Sequence, residues 1–579
     1  MQENTFERDY QERAERWQHD ADLLETQRAR LSNFRLAAGG ALIAAALYWV
    51  FTRELYAVPA AVIAGVVLAL LVRRYRHLTA LWERASALAT VNRYGAARVR
   101  RDWAALPEPP SIEAPEGHPY ARDLDIVGHA SLQQLVDTTG TTMGRDRLAG
   151  WLLDPIDPEE IVAHQEAIRE LSGDLDWLQE LQQRALRGKI DDERTAAFLD
   201  WAAGGGKRLP VYTWLARLSV LALVAIVALS VARVIDSALL AILFGFNLLL
   251  ANALHRRVGQ SLDAAIEHGN GIRSYAELLD LLSNRTHSAA LLQQIDAPLR
   301  VDGVAASEAA DKLAQILSFG IPRGTLQSYV MQATVAWDVH FYDRLEAWRE
   351  HYGAQVPHWL EAIGWYEALG ALANLAHDNP DWVYPNLSRE NDRLAATELG
   401  HPLIPESRRI CNDVTVGPPG TFLFVTGSNM SGKSTLLRSI GMNVVLANMG
   451  APACARTMAL PPLSLWTSVR IVDSLEAGIS YYMAELLRLK QVVDAALDDA
   501  PHDRTVCFLL DEILSGTNTG ERQIAARRII SLLVEHGAIG AVSTHDLDLI
   551  EGDRLTAKAD KVHFTETVVR TDGQLDMTF

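Results

Sequence analysis

The run Gly427-Ser428-Asn429-Met430-Ser431-Gly432-Lys433-Ser434-Thr435 satisfies the pattern GxxxxGK(S/T). Each residue type suits a phosphate chain. Glycines let main-chain N–H groups approach anionic oxygens without a Cβ in the way. Lys433 places a point charge on β- and γ-phosphates, and the Ser434 hydroxyl can ligate Mg2+. The flanks make the pattern specific. Thr421–Thr426 reads as a buried strand and Leu436–Ala447 as a helix, so strand, glycine loop and helix follow in the required order. The expected ligands are ATP and Mg2+.

A second apolar strand, Val506-Cys507-Phe508-Leu509-Leu510, ends in Asp511 and Glu512. Asp511 would hold Mg2+, directly or through water, while Glu512 would orient and polarise the attacking water. A third strand, Ile539–Thr544, delivers His545, which is placed to sense a γ-phosphate; a plain surface histidine is the alternative.

These elements occupy the last third of a chain too long for one core. It has 579 residues and a net charge of −18, from 54 Lys and Arg against 72 Asp and Glu. So acidic a chain is not an indiscriminate nucleic-acid coat, though a local basic patch stays possible in principle. Three scattered cysteines, Cys411, Cys454 and Cys507, give neither a disulfide framework nor a zinc pattern. The polar N-terminus does not read as a cleavable signal peptide.

Two regions are strongly apolar. Leu36–Phe51 and Leu55–Val72 flank Thr52-Arg53-Glu54; Leu218–Ala232 and Ser237–Leu254 flank a short turn. Each pair predicts a transmembrane helical hairpin, since a span needs roughly 20 apolar residues with about 17 as the lower limit. A buried soluble hairpin would carry a polar stripe, and here only Asn247 and Asn252 interrupt. Arg28, Arg30 and Arg35 precede the first hairpin, and Arg73, Arg74, Arg76 and His77 follow it. Lys207, Arg208 and Arg217 precede the second, with Arg256 and Arg257 after it. Both hairpins therefore start and end on the positive, cytoplasmic side, predicting a multi-pass protein of the cytoplasmic membrane.

Before the first hairpin, Phe6, Tyr10, Ala14, Trp17, Ala21, Leu24 and Leu31 form a helical seam. It could pair two protomers as a coiled coil, or lie against the chain's own body or the membrane. Stretches 80–205 and 255–398 read as helical, with tryptophans expected in the core or at a membrane interface. Leu106 to His118 reads as a linker.

The motifs resemble the DNA mismatch-repair MutS family, within the ABC-type ATPases. TGSNMSGKSTLLRSIG is similar to the family's TGPNMGGKST run, with Ser428 for Pro and Ser431 for Gly. GHPLI (Gly400–Ile404) and CND (Cys411–Asp413) resemble its lead-in segments. GISYYMAEL (Gly478–Leu486) resembles the S-x-F-x-x-E signature through Ser480, Tyr482 and Glu485. LLDEILSGTNTGER is similar to the DEIGRGTST segment and STHDLDL to THYxEL. Upstream, Leu135–Leu171 resembles the start of the helical core, departing at Asp146 where the family has Arg.

The resemblance implies a multidomain fold: a MutS-type α-helical core interrupted by the two hairpins, plus a C-terminal α/β ABC-type P-loop ATPase domain. The expected order is a cytoplasmic helical arm (1–35), hairpin one (36–72), linker and first core part (73–212), hairpin two (213–254), second core or lever part (255–398) and ATPase domain (399–579). It also implies a homodimer in which Ser480, at a helix N-terminus, faces the γ-phosphate held by the other protomer, and Glu485 belongs to the same nucleotide site. ATP binding would close the dimer and hydrolysis would open it. DNA and the lipid bilayer are the expected partners. The family's lesion-reading domain and its Phe-x-Glu wedge have no counterpart here: Phe6-Glu7-Arg8 is not that motif, and Phe564-Thr565-Glu566 fits by letters alone. An ATP-driven clamp or scaffold on membrane proteins, without nucleic acid, is the alternative. A transporter fits poorly, because the hairpins have almost no outer loops and LSGGQ is absent.

Overall fold

A computed structural model describes residues 5–52, 54, 57–188, 192–204, 207–301, 303–321, 325–428, 431–470, 481–498, 504–514, 519–550, 554–565, 567–571 and 574–578. Most of them are helical. Four helices are long and apolar enough to cross a membrane: α1 (Thr5–Thr52), α2 (Ala57–Arg100), α3 (Pro210–Val231) and the Leu239–Gly259 part of α4 (Leu239–Ser283). At most 22% of any of their apolar windows is buried within the protein, far from the profile of core helices. Pro59 and Pro210 sit in first turns, where no intrahelical N–H bond is lost. The arm and the first apolar segment form one uninterrupted helix, so the boundary expected at residue 35 lies inside α1.

The chain divides into two compact units: Met1–Thr138 with Arg147–Gln179 and Ala368–Phe579, and Thr139–Asp146 with Glu180–Glu367.

In the first unit, α1 packs along α2. The seam faces the chain's own body: Tyr10, Ala14 and Ala21 are buried. Gly95 on α2 makes room, since a Cβ there would lie 2.6 Å from the Tyr10 ring. The Tyr10 hydroxyl donates to Asp378 Oδ1 at 2.6 Å and Arg98 Nε to Asp378 Oδ2 at 3.0 Å. Burial alone would raise the Asp378 carboxyl, but Arg98 and its hydrogen-bond donors hold it below the usual carboxylate range.

The same unit carries two sheets. Strands β1 (Leu394–Leu399), β2 (Asn412–Val416) and β4 (Thr457–Leu460), with the short Asn386–Leu387, form a mixed four-stranded sheet. Strands β3 (Phe422–Gly427), β5 (Leu463–Ser468), β6 (Thr505–Asp511), β7 (Ile539–Ser543) and β8 (Ala559–Phe564) form a wholly parallel sheet ordered β8-β3-β7-β6-β5. Its central strands read as continuous apolar runs because both faces are covered. Phe422, Phe424, Phe508 and Leu510 bury against Ile530, Leu533 and Val534 of α7 (Thr519–Glu535) and Leu489 and Val492 of α6 (Tyr481–Leu497). Helix α5 (Lys433–Asn448) follows β3.

The second unit is helical. Glu367 caps its opening turn, accepting the Gly140 N–H at 2.7 Å and the Thr141 N–H at 3.2 Å, together with the Thr141 hydroxyl. Cβ atoms at Gly140 and Gly144 would strike Ala185 and Glu367, so this motif is built for close approach. Asn247, an exception in the apolar run, donates to the carbonyls of Ala333 and Thr334 at a helix C-terminus. Trp201 stacks on Trp348, and Trp359 meets Trp348 edge-on, while Trp214 on α3 is exposed.

Candidate nucleotide site

The glycine loop leaves the C-terminal end of β3. Gly427 has φ +148° and Gly432 φ +93°, both in the left-handed range that side chains resist. A Cβ on Gly427 would sit 2.7 Å from the Phe564 carbonyl oxygen and 2.8 Å from Ser431 Oγ. Lys433 opens α5, is buried, and donates from Nζ to the carbonyls of Gly427 at 2.9 Å and Ser428 at 2.6 Å. Its ammonium therefore lies over the loop's own main chain. Ser431 is buried with no partner for its Oγ among the described residues; Ser434 is half-buried and Thr435 exposed. Asn429 and Met430 lie outside the described residues.

The acid pair reaches the same end of the sheet from β6. Strand β7 lies between β6 and β3, and it joins the two. Ser543 on β7 pairs in register with Asp511, and its hydroxyl donates to Asp511 Oδ1. The Glu512 N–H donates to the Ser543 carbonyl at 3.0 Å, and the Thr544 N–H to the Val425 carbonyl of β3 at 3.0 Å. Glu512 and Leu514 take left-handed backbone, φ +45° and +59°. Two such non-glycine residues, separated only by Ile513, store about 1–3 kcal/mol each and must be held by their surroundings. Glu485 on α6 is one of the holders: it is buried, and its carboxylate accepts the Leu514 N–H. Its contact is with the turn that carries Glu512. The turn also brings Glu512 Oε1 to 3.3 Å from His545 Nδ1, with both side chains partly exposed.

Four of the expected groups thus converge: the glycine loop with Lys433, Asp511, Glu512 and His545 all leave C-terminal ends of neighbouring parallel strands. Ser480 lies outside the described residues. No group of three or more His, Cys, Asp or Glu suited to a metal occurs among the described residues. Ser434 and Asp511 supply oxygen donors, the kind Mg2+ takes when substrate phosphates complete its shell.

Sequence reading missed a brace from far upstream. Buried Asp123 accepts the Thr467 hydroxyl at 2.7 Å and the Val469 N–H at 2.9 Å, fixing the chain as it leaves β5 toward 471–480. Asp125 pairs with Arg470 and, at 3.5 Å, with Arg438 of α5. Arg438 is lowered from the ordinary guanidinium value by burial and by Arg470. Arg488 of α6 donates to the carbonyls of Thr467 at 2.7 Å and Gly117 at 3.0 Å. No local pattern marks Asp123 or Asp125.

A cleft of about 850 Å³ opens between the two sheets, lined by Asn412, Asp413, Leu423, Leu436, His563 and Phe564 among others. Phe564 closes on Gly427 and Leu436 lies one turn into α5, so the cleft borders the loop while Lys433, Asp511 and Glu512 stay off its walls.

The family described as MutS domain V matches residues 423–579, from the loop strand onward, and so takes in the glycine loop, Asp511, Glu512 and His545. Beyond that match, the chain resembles MutS proteins along most of its length. It is 27% identical over 470 residues to the DNA mismatch repair protein MutS of Myxococcus xanthus, covering 73% of this chain and 51% of that protein. It is 31% identical over 193 residues to the Endonuclease MutS2 of Thermus thermophilus, covering 33% and 24%. With the DNA mismatch repair protein MutS of Shouchella clausii the identity is 31% over 225 residues, covering 38% and 24%. The chain thus spans between about a quarter and a half of the length of these MutS relatives.

Proposed function

We propose that this MutS-like chain is a membrane-anchored ATPase of the cytoplasmic membrane, with its P-loop ATPase domain in the cytoplasm, working as an ATP-gated homodimeric clamp on DNA. One observation carries the reading. The glycine loop, the Asp511-Glu512 pair and His545 emerge at the same edge of one parallel sheet, where ligands of such sheets bind.

Main-chain N–H groups from Gly427 to Thr435 cradle the phosphates, and Lys433 moves its ammonium from the loop carbonyls onto them. Ser434 and Asp511 would hold Mg2+, which would supply charge neutralisation to the phosphates. Glu512 accepts a proton from the attacking water, and its left-handed backbone aims it. His545 sits beside Glu512 and contacts the γ-phosphate. Glu485 positions that turn. Ser480 completes the partner protomer's site. The cleft bordered by Phe564, about 850 Å³, falls in the size range of small-molecule pockets and could take the base and sugar.

The clamp on DNA is supported by relatives named for DNA mismatch repair. A scaffold acting on membrane proteins without nucleic acid is the second reading, favoured by the net charge of −18. A gel shift of the detergent-purified protein with branched and linear duplexes separates them. A DNA clamp loses affinity steeply as salt rises, because bound counterions are released on binding. No shift at low salt would remove DNA from the account.

A further inference from the structure

We propose that hairpin one carries a built-in site for the phosphates of anionic phospholipids, a ring of six arginines at the cytoplasmic end of its apolar segments. This rests on the membrane reading above and deepens it by naming the lipid.

The ring is Arg28, Arg30 and Arg35 on α1 with Arg73, Arg74 and Arg76 on α2. No acidic residue stands between Glu25 and Glu54 or between Glu54 and Glu83, so the nearest carboxylates on the cytoplasmic side, Glu25 and Glu83, lie at the Arg28 end only. None of the six forms an ion pair among the described residues, although Arg8, Arg13 and Arg100 elsewhere on these helices all do. Arg30, Arg73, Arg74 and Arg76 are exposed.

The other two are held in place. Arg28 lies 4.2 Å over the Trp82 ring and Arg35 4.1 Å over the Tyr75 ring, each pair two turns from the other along antiparallel helices. The Nε of both is shielded without a hydrogen-bond partner. A guanidinium stacked on an aromatic face keeps its terminal N–H groups in the plane, and those that Arg28 does not give to Tyr75 can fork onto an oxyanion.

Depth selects the ligand. Leu36–Thr52 and Ala57–Val72 each rise about 25 Å at 1.5 Å per residue, close to the ~30 Å of a hydrocarbon core. With the helix–helix turn at the far face, the ring falls at the headgroups of the cytoplasmic leaflet. Phe34, Leu36 and Leu70, exposed beside the arginines, suit acyl chains and not a nucleic-acid backbone. Each arginine near an anionic leaflet strengthens attraction about fivefold.

The test uses full-length protein in mixed micelles of equal phosphatidylglycerol and phosphatidylcholine, with the lipid retained after purification counted by mass spectrometry. The wild type should retain the anionic lipid at least tenfold over the zwitterionic one, less so in high salt. The variant Arg73→Gln/Arg74→Gln/Arg76→Gln, altered only at exposed sites, should lose most of that preference, and Arg28→Gln/Arg35→Gln should lose it too. Equal retention of both lipids by the wild type, or full preference in the triple variant, overturns the ring. So does a phosphatidylglycerol-independent duplex DNA affinity that the triple variant abolishes. A carbonate wash of membranes is run in parallel. Wild-type protein that stays embedded but shows no preference defeats the ring alone, whereas release by carbonate defeats the membrane reading and the ring together.

Discussion

Two turns leave the same end of the parallel sheet on either side of β7, and they are built in opposite ways. The turn after β3 takes its left-handed backbone at Gly427 and Gly432, where it costs little, and its shape is written in its own residues. The turn after β6 forces the same region of backbone on Glu512 and Leu514. It is held by Ser543 from the neighbouring strand and by Glu485 from α6. In the proposed reading the first turn binds, and the second aims a carboxylate and needs an outside frame to do so. A cradle can therefore survive loss of its surroundings, whereas an aimed base cannot.

That contrast can be broken by substitution. Lys433→Ala removes the cradle's charge and should lower ATP turnover by at least about 100-fold, together with nucleotide affinity, measured by phosphate release and equilibrium binding. Glu512→Gln should lower turnover by about 10²–10⁴-fold while nucleotide binding persists, so that a single-turnover assay shows ATP retained unhydrolysed. Glu485→Ala removes a support of the second turn. It leaves the Leu514 N–H buried without an acceptor, which costs about 1–3 kcal/mol, and should slow turnover about tenfold with Kd for ATP unchanged. Turnover equal to wild type in Glu485→Ala would show that the second turn holds its own shape. Asp123→Asn keeps one acceptor for Thr467 and Val469 but loses the charge, with an expected stability loss of about 1 kcal/mol by denaturant titration.

The sequence revealed what is local. The glycine loop, the strand-end acids and the four apolar helices each follow from residue type and short spacing, because a parallel strand buried on both faces tolerates little else and an apolar run of roughly 20 residues stands out by composition alone. The arm's seam was visible, but not which surface it meets: Tyr10 finds Asp378 across most of the chain. The Glu512–His545 pairing follows from β6 and β7 lying side by side, and strand order is not encoded in either strand. Asp123 lies in a loop with no periodicity, and its partners at Thr467 and Val469 come from the far end of the chain. Contacts of that separation depend on how the segments are brought together, and no spacing rule reaches them.

Equilibrium binding of labelled ATP with Mg2+ to purified full-length protein tests the central claim most directly. The account predicts saturable binding by the wild type and by Glu512→Gln, and its loss in Lys433→Ala. Binding by Lys433→Ala as tight as the wild type's, or none by any of the three, would contradict it.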